Sequence, residues 1–459
     1  MLIALLVYLA TLVGVGAWAR RRHKDFQDYV TGGGAIPTWM LAVSFLGNFV
    51  SSNSFVGHAG KSYQTGLIWM VVAGVMVSCY VVSWTVFAPR LARFARRTGA
   101  TTLPDLFLDR FRSAGLTSLV HWIVVVATML YVLAVLRGTA TVVRWGLGIG
   151  YVEALLVIYG VTVAYCLFGG IWADVSTDVV QTAVLMAGAF ALMFGVLRAT
   201  AGAPMVATEP MAVPPLALVL AVGLGGGVKL LIDPKQVMVF YGLRSEGEAR
   251  RFALLGPLAL AAIYLCLFPI GYLARHLIAS APDLEQIVPM LVFERRVMGD
   301  AFTALFPIAL LAASMSSLDS ALLVIASCLE KHVAAPLLGR QPSTSRTRWL
   351  LLGAATVALL LSIRPLGGII RLTTFAGALL GASLLPALVV GMFELRVPTR
   401  VVVTSVVAGL VGAVLGALGP SVGLTSPLVQ DVFVGLAFSI GALAIGALLT
   451  RPTRLAESG

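Results

Sequence analysis

Long runs of apolar residues alternate with short polar segments along almost the whole chain. An α-helix needs about 20 apolar residues to cross the hydrocarbon core of a bilayer, and most of these runs have that length. The pattern therefore predicts an all-α integral membrane protein with about thirteen transmembrane helices and no separate soluble domain. The predicted helices are 1–19, 37–59, 67–88, 114–137, 151–168, 175–198, 214–241, 252–275, 301–330, 348–363, 369–392, 400–418 and 428–450.

Composition supports this assignment, with 59% hydrophobic residues, 11% charged residues and a mean hydropathy of +0.97. Such values exclude a water-soluble domain of this size. The net charge of +12 does not indicate nucleic-acid binding, because Lys and Arg concentrate in alternate loops. Positive loops remain in the cytoplasm, so we predict a bacterial inner-membrane protein with its N-terminus outside and its C-terminus cytoplasmic. The basic segments are 20–24, 90–97, 244–251, 331–348, 396–400 and 451–454.

Two predicted helices contain residues that favour an interruption in mid-membrane. The helix 37–59 contains Gly47, Asn48 and Ser51 to Ser54, and the helix 214–241 contains Gly223 and Gly225 to Gly227 followed by Lys229. Freed backbone groups at that depth are tolerated where they line a site, although glycines also serve close helix packing.

These interruptions lie five crossings apart, so the two helices run in opposite directions across the bilayer. This is the pattern of inverted repeats in secondary transporters, with a solute site near the midplane. We therefore predict two five-helix repeats, 37–198 and 199–392. The segment 1–36 before them would form an N-terminal helix and a basic loop, and the segment 393–459 after them would form two further helices and a basic tail.

A stripe of small polar residues follows one face of the predicted helix 301–330. Ala313, Ser316, Ser317 and Ser320 are spaced i, i+3, i+4 and i+7, which places them on one side of a helix. Such a stripe can be a packing seam. Asp319 beside it favours a functional face, because packing does not require a carboxylate at bilayer depth.

Six segments in this order resemble the sodium:solute symporter family, whose members share the inverted-repeat, leucine-transporter-like fold. They are DYVTGGGAIPTWMLAVSF, SFVGHAGKSYQTG, FAPRLARFARRTGATTLPDLFLDRF, YCLFGGIWADVSTDVVQ, AASMSSLDSALL and GASLLPALVVGMFELRVPTR. The resemblance implies sodium-coupled uptake of a small solute by alternating access, and it does not identify the solute.

The resemblance also implies two cation sites. The first sodium site would use backbone carbonyls of the broken helix and groups of the serine stripe, here Gly47, Val50, Ala313, Ser316 and Ser317. Oxygen ligands of this kind suit a hard cation. In members similar to a sialic acid transporter a second sodium site corresponds to Asp178, Ser316, Asp319 and Ser320. That branch has a serine in place of Asp319, so a proton could replace the second sodium ion; Asp178 could also be an interfacial acid at a helix N-terminus.

The solute pocket is predicted from polar residues on the two interrupted helices and on the helix 369–392. Lys229 is the strongest candidate for a contact to an anionic solute, joined by Asn53, Ser54, Thr373 and Thr374. Lys229 could instead snorkel towards the membrane surface or pair with Asp233. The positions that sugar-transporting relatives use are Phe49, Ala73 and Met76 here, so a sugar is disfavoured.

The sequence was also compared with what an enzyme, a carrier with other coupling and a solute sensor would require. The chain has no HExxH motif and no intramembrane Ser and His that are clearly paired, so we predict that it is not an enzyme. A proton-coupled or uncoupled carrier of the same fold and a membrane solute sensor remain alternatives, and the sequence does not indicate the oligomeric state.

Overall fold

The computed structural model describes residues 2–19, 25–50, 53–281, 283–364, 368–419 and 431–450, in which all regular structure is helical. The first ten helices are α1 (Leu2–Ala19), α2 (Phe26–Thr31), α3 (Thr38–Phe49), α4 (His58–Thr65), α5 (Met70–Val82), α6 (Ala88–Thr98), α7 (Leu103–Phe111), α8 (Ala114–Leu147), α9 (Tyr151–Thr200) and α10 (Leu216–Ile232). The others are α11 (Pro234–Tyr241), α12 (Glu246–Leu267), α13 (Ile270–Ala274), α14 (Ile287–Pro289), α15 (Gly299–Leu329), α16 (Ala335–Leu337), α17 (Thr344–Ser362), α18 (Ile369–Met392), α19 (Thr399–Leu418) and α20 (Asp431–Leu449).

The predicted class of an all-α membrane protein is confirmed. In the described ranges nine helices are long and apolar enough to cross a bilayer, or ten if α2 and α3, bent by 108°, form one span. The figure of thirteen crossings stays a prediction. The predicted helices 151–168 and 175–198 are the two parts of α9, which breaks at Gly170. Gly170 has φ +54° and ψ −151°, a conformation that only glycine adopts readily.

The interruption predicted in the segment 37–59 is confirmed. The helix α3 ends at Phe49, and Val50 is extended with φ −85° and ψ 104°. The chain returns to helical structure through a π-helical turn at Asn53–Gly57 and continues as α4. The last carbonyl groups of a helix lack donors from a following turn, and the one of Asn48 accepts hydrogen bonds from Ser317 Oγ and Lys235 Nζ.

The interruption predicted at Gly223 to Gly227 is wrong in its position. The helix α10 continues through these glycines and ends at Asp233, where φ −54° and ψ 123° break it, and Pro234 begins α11. A Cβ atom on Gly226 would collide with Met76 Cε, and one on Gly227 with Cys79 Sγ. These glycines therefore form a packing seam against α5, and the helix is broken by the Asp-Pro sequence.

The helix α15, which contains the serine stripe, lies in the centre of the bundle. It packs against α3, α8, α9 and α17, and the apolar window of the span Phe306–Leu337 is buried along its whole length. The last helix, α20, leaves most of its surface exposed and packs mainly against α18 and α19. Polar residues on α15 therefore face protein.

A buried ion cluster joins α7 to the turn that follows α15. The Asp105 carboxylate accepts hydrogen bonds from the backbone N–H groups of Thr101 and Thr102, both 2.8 Å, and from Lys331 Nζ at 2.8 Å. His332 Nε2 lies 3.5 Å from the same carboxylate. Burial raises the pKa of Asp105, but the charges of Lys331 and His332 and these donors outweigh it, so the pKa lies below its usual range.

Replacing Asp105 by Asn should therefore lower the stability of the protein by about 2 kcal/mol, because it removes the ion-pair partner of the half-buried Lys331 ammonium group. A carboxyl group whose pKa is lower in the folded state stabilises it above the unfolded pKa of about 4, and this contribution is lost as the pH falls further. Thermal unfolding in detergent should show the same difference in unfolding temperature between parent and variant at pH 8 and at pH 5. A difference that disappears between these pH values would contradict the assignment, and Asp109→Asn, at the exposed carboxylate of α7, is the matched control.

Candidate functional site

A cavity lies where the break between α3 and α4 meets the break between α10 and α11. The space in it that a water-sized molecule can occupy is about 100 Å³, and its whole atom-free space, including the open mouth, is about 840 Å³. Ser54, Lys229, Thr373 and Thr374, all predicted as solute contacts, line this cavity; the side chain of Asn53 lies outside the described residues. The other lining residues are Asn48, Phe49, His58, Trp69, Met76, Tyr131, Val222, Gly225, Gly226, Asp233, Lys235 and Tyr264.

Two lysines reach this cavity from the second break and share one aromatic ring. Lys229 Nζ lies 4.6 Å and Lys235 Nζ 4.0 Å from the centre of the Tyr131 ring. Lys235 Nζ also donates to the backbone carbonyl of Asn48 at 3.3 Å. The aliphatic stem of Lys229 lies against Gly377 of α18, where a Cβ atom would come within 2.9 Å of it. We refer to Lys229 and Lys235 as the lysine pair.

Asp233 is the one carboxylate among the lining residues in the described part of the chain. Its Oδ1 caps α11 by accepting from the Lys235 backbone N–H at 3.0 Å, and its Oδ2 lies 3.9 Å from Lys235 Nζ. The alternative in which Asp233 pairs with Lys229 is therefore not the geometry found, since its ion pair is with Lys235. Two ammonium groups and one carboxylate leave the cavity with one excess positive charge.

The residues predicted for the first sodium site lie together at the end of α3. A Cβ atom on Gly47 would come within 3.1 Å of Ser316 Oγ, so the α3 backbone touches the serine stripe. One residue along the chain, the Asn48 carbonyl accepts a hydrogen bond from Ser317 Oγ at 3.1 Å. Ala313 is fully buried one turn before Ser317, and Val50 is fully buried in the extended residue after α3. This arrangement offers backbone carbonyls and hydroxyl oxygens, which are ligands that suit a hard cation.

The residues predicted for the second cation site also lie close together, with a third acid that the prediction did not include. Each of Asp174, Asp178 and Asp319 contributes a carboxylate oxygen to a group whose atoms all lie within 4.8 Å of one another. All three side chains are buried. We refer to them as the aspartate cluster; a cation near it would offset three acidic groups in a low-dielectric interior.

Neighbouring polar groups fix two of these acids. Asp178 accepts hydrogen bonds from Ser44 Oγ and, at 3.0 Å, from Asn48 Nδ2. Ser320 Oγ donates to Asp174, 2.7 and 2.8 Å from its two carboxylate oxygens. The helix macrodipole does not account for Asp178, because it lies in the interior of α9 rather than in its first turn.

The sequence reasoning missed Asp174 and Lys235, although both carry a signal. Asp174 and Asp178 are four residues apart on α9, a spacing that places two acids on one helix face. Lys235 is a second lysine in the same apolar segment as Lys229, and a charge at that depth indicates a functional role by default.

The sequence pattern that defines the Sodium:solute symporter family matches residues 29–409. The chain belongs to this family. It is therefore a multi-pass membrane transporter that couples the movement of a small solute to sodium, and it is not an enzyme.

Individual relatives show the range of solutes within the family. The chain is 26% identical to the sodium/pantothenate symporter of Haemophilus influenzae over 436 residues, which cover 89% of this chain and 88% of the relative. It is also 26% identical to the osmoregulated proline transporter OpuE of Bacillus subtilis, covering 98% of this chain and 95% of the relative.

Among solved structures, the symporter resembles a substrate-bound, outward-open Na⁺-coupled sialic acid symporter. The TM-score is 0.79 at 19% sequence identity, and the match covers 97% of this chain and 95% of the other. At this identity the likeness establishes the fold, which is the transporter fold predicted from the two helix breaks and the order of motifs.

Proposed function

We propose that this symporter imports a small organic anion that carries a carboxylate. The observation that supports the anion is the lysine pair, which gives the cavity one excess positive charge beside its single carboxylate, Asp233. A buried ammonium group is stabilised when a bound anion supplies its counter-charge. Pantothenate, proline and sialic acid, the solutes of the relatives described above, all contain a carboxylate.

In this proposal Lys229 binds the solute carboxylate. Ser54, Thr373 and Thr374 supply hydroxyl groups on the other walls of the cavity, and the Asn53 amide is included from the sequence prediction. The Thr373 hydroxyl also donates to the Ile369 carbonyl of its own helix at 3.0 Å. Phe49 and Met76 supply apolar surface, so a solute with an apolar body fits better than a sugar.

We further propose two coupling sites. Gly47, Val50, Ala313, Ser316 and Ser317 hold the first sodium ion. Asp178, Asp319 and Ser320 hold a second cation, with Asp174 as an additional acid. The two helix breaks lie in the proposed repeats 37–198 and 199–392, which would move against each other during alternating access.

The orientation follows from the distribution of charge along the chain. Basic residues concentrate in alternate loops, which supports an orientation in a bacterial plasma membrane with the C-terminus in the cytoplasm and the N-terminus outside. This orientation makes the α3 side of the first break cytoplasmic and the α4 side external.

A thermal-shift screen of the purified symporter tests the anionic solute. Pantothenate, sialic acid, proline and the neutral sugar glucose are each added with sodium or with potassium. A ligand that binds only the folded state raises the unfolding temperature, and coupling to sodium makes that rise larger when sodium is present. We expect at least one carboxylate to stabilise the protein more strongly in sodium. Stabilisation by glucose with no response to any carboxylate would contradict the proposal.

A further inference from the structure

His58 lies on the wall of the cavity that α4 contributes, in a fixed orientation. Its imidazole ring stacks on Phe268 with a centroid distance of 4.3 Å and an interplanar angle of 19°. Trp69 Nε1 donates a hydrogen bond to His58 Nδ1 at 3.2 Å. The side chains of His58, Trp69 and Tyr264 all line the cavity, and His58 is only 9% exposed.

These contacts determine which ring nitrogen of His58 carries the proton. The indole N–H of Trp69 can only donate, so Nδ1 must accept and carries no hydrogen. A neutral imidazole then has its proton on Nε2. The described residues offer no acceptor to this N–H group, so it remains a hydrogen-bond donor beside the cavity.

The His58 Nε2–H group lies on α4, whereas the lysine pair lies on α10 and α11, so the two would contact different parts of a bound solute. We infer that the solute is a carboxylate with a hydroxyl or carbonyl oxygen on an apolar body, and that His58 Nε2–H selects this oxygen. The inference rests on the proposed function, because it assumes that the carboxylate of the solute faces Lys229.

This geometry disfavours two other classes of solute. An amino acid would bring an ammonium group, which is a donor and cannot pair with another donor. The one carboxylate lining the described part of the cavity, Asp233, is already engaged by Lys235. A sugar would place several hydroxyl groups against Phe49, Met76 and Val222, where they would lose their hydrogen bonds to water.

Binding measurements on matched acids test the role of His58. Lactate and levulinate are compared with propionate and valerate, which lack the second oxygen, and pantothenate and proline are added for reference. In the parent symporter at least one oxygenated acid should bind about tenfold more tightly than its partner without the oxygen. The variant His58→Phe keeps the aromatic ring but has no N–H group, so it should lose this preference while still binding valerate. His58→Gln has an amide N–H and a carbonyl oxygen that can accept from Trp69, and it should keep part of the preference.

A fold control accompanies these variants. His58→Phe leaves the Trp69 N–H without an acceptor, so the double variant His58→Phe, Trp69→Phe is measured as well. It should show the same loss of preference together with a sodium-induced thermal shift like that of the parent.

The outcomes separate this inference from the proposed function. If valerate binds and Lys229→Met abolishes that binding, but the parent shows no preference for any oxygenated acid, the role of His58 is wrong and the anionic solute stands. The same conclusion follows if His58→Phe keeps the preference. If proline binds more tightly than every oxygenated acid, the role of His58 is wrong and the solute is a zwitterion rather than an anion. If no carboxylate binds, the proposed function fails, and the inference fails with it.

Discussion

Replacing Lys229 by methionine is expected to weaken binding of the solute carboxylate by about 100-fold or more, and to leave sodium binding close to that of the parent. Truncating one partner of a buried charge pair typically costs several kcal/mol, because the other charge then lacks its counter-charge. Methionine keeps most of the apolar stem that packs against Gly377, so the change removes the ammonium group with little change in packing. Isothermal titration with the best carboxylate from the thermal-shift screen, at saturating sodium, measures this loss.

The control for this prediction alters the position of Lys229 without removing its charge. In Gly377→Ala the new methyl group presses on the Lys229 stem, so the ammonium group must shift within the cavity. We expect a loss of affinity clearly smaller than that of Lys229→Met. If Lys229→Met binds and transports the solute normally, Lys229 is a structural residue and the solute does not depend on this charge.

Replacing Asp178 by asparagine is expected to reduce by one the number of sodium ions carried with each solute. Asparagine can still accept a hydrogen bond from Ser44, but it removes one negative charge from the aspartate cluster, which weakens binding of a cation there. The ratio of radioactive sodium to solute entering proteoliposomes measures the stoichiometry. Asp319→Ser, by contrast, should keep the parental stoichiometry, because it introduces the serine found at this position in the resembling branch, for which a second sodium site is expected.

The first sodium site provides the matched comparison. Ser317→Ala removes a hydroxyl oxygen from this site and leaves the aspartate cluster intact, so it should raise the sodium concentration needed for half-maximal uptake by about tenfold. If Asp178→Asn leaves the ratio of sodium to solute flux unchanged, the aspartate cluster does not bind a transported sodium ion. If that variant also lost an acceleration of uptake at low external pH, the second cation would be a proton. A flux ratio and a pH response both equal to the parent would exclude a second site.

The sequence alone identified candidate site residues where the polar pattern lies within a single helix. The stripe on α15 was predicted because its members repeat at helical spacing, and the end of α3 because polar residues interrupt an apolar run. The position of the second break was predicted wrongly, because a run of glycines has the same composition whether it packs closely or unwinds. Asp233 followed by Pro234 is the local signal that marks this break.

The remaining features depend on partners that are distant in sequence. His58 gains its orientation from Trp69 and Phe268, and the second of these lies 210 positions further along the chain. Lys235 likewise becomes part of the cavity through the Asn48 carbonyl on α3. No periodicity within α4 or α11 expresses these contacts, so they require the packed structure. The resemblance to a family supplied the sodium sites for the same reason, since it carries the three-dimensional arrangement with it.

Asn48 connects three groups that would otherwise act separately. Its carbonyl accepts from Ser317 of the proposed first sodium site and from Lys235 at the cavity, and its side chain donates to Asp178 of the aspartate cluster. If sodium binds at the proposed first site and draws Ser317 Oγ away from this carbonyl, the surroundings of Lys235 change, and with them the affinity of the cavity for the proposed anion. Thermodynamic linkage makes the effect reciprocal, so a bound solute must raise sodium affinity by the factor by which sodium raises solute affinity. Asn48, through its backbone carbonyl and its side-chain amide, would then give a physical basis for the energetic cost of moving either ligand alone.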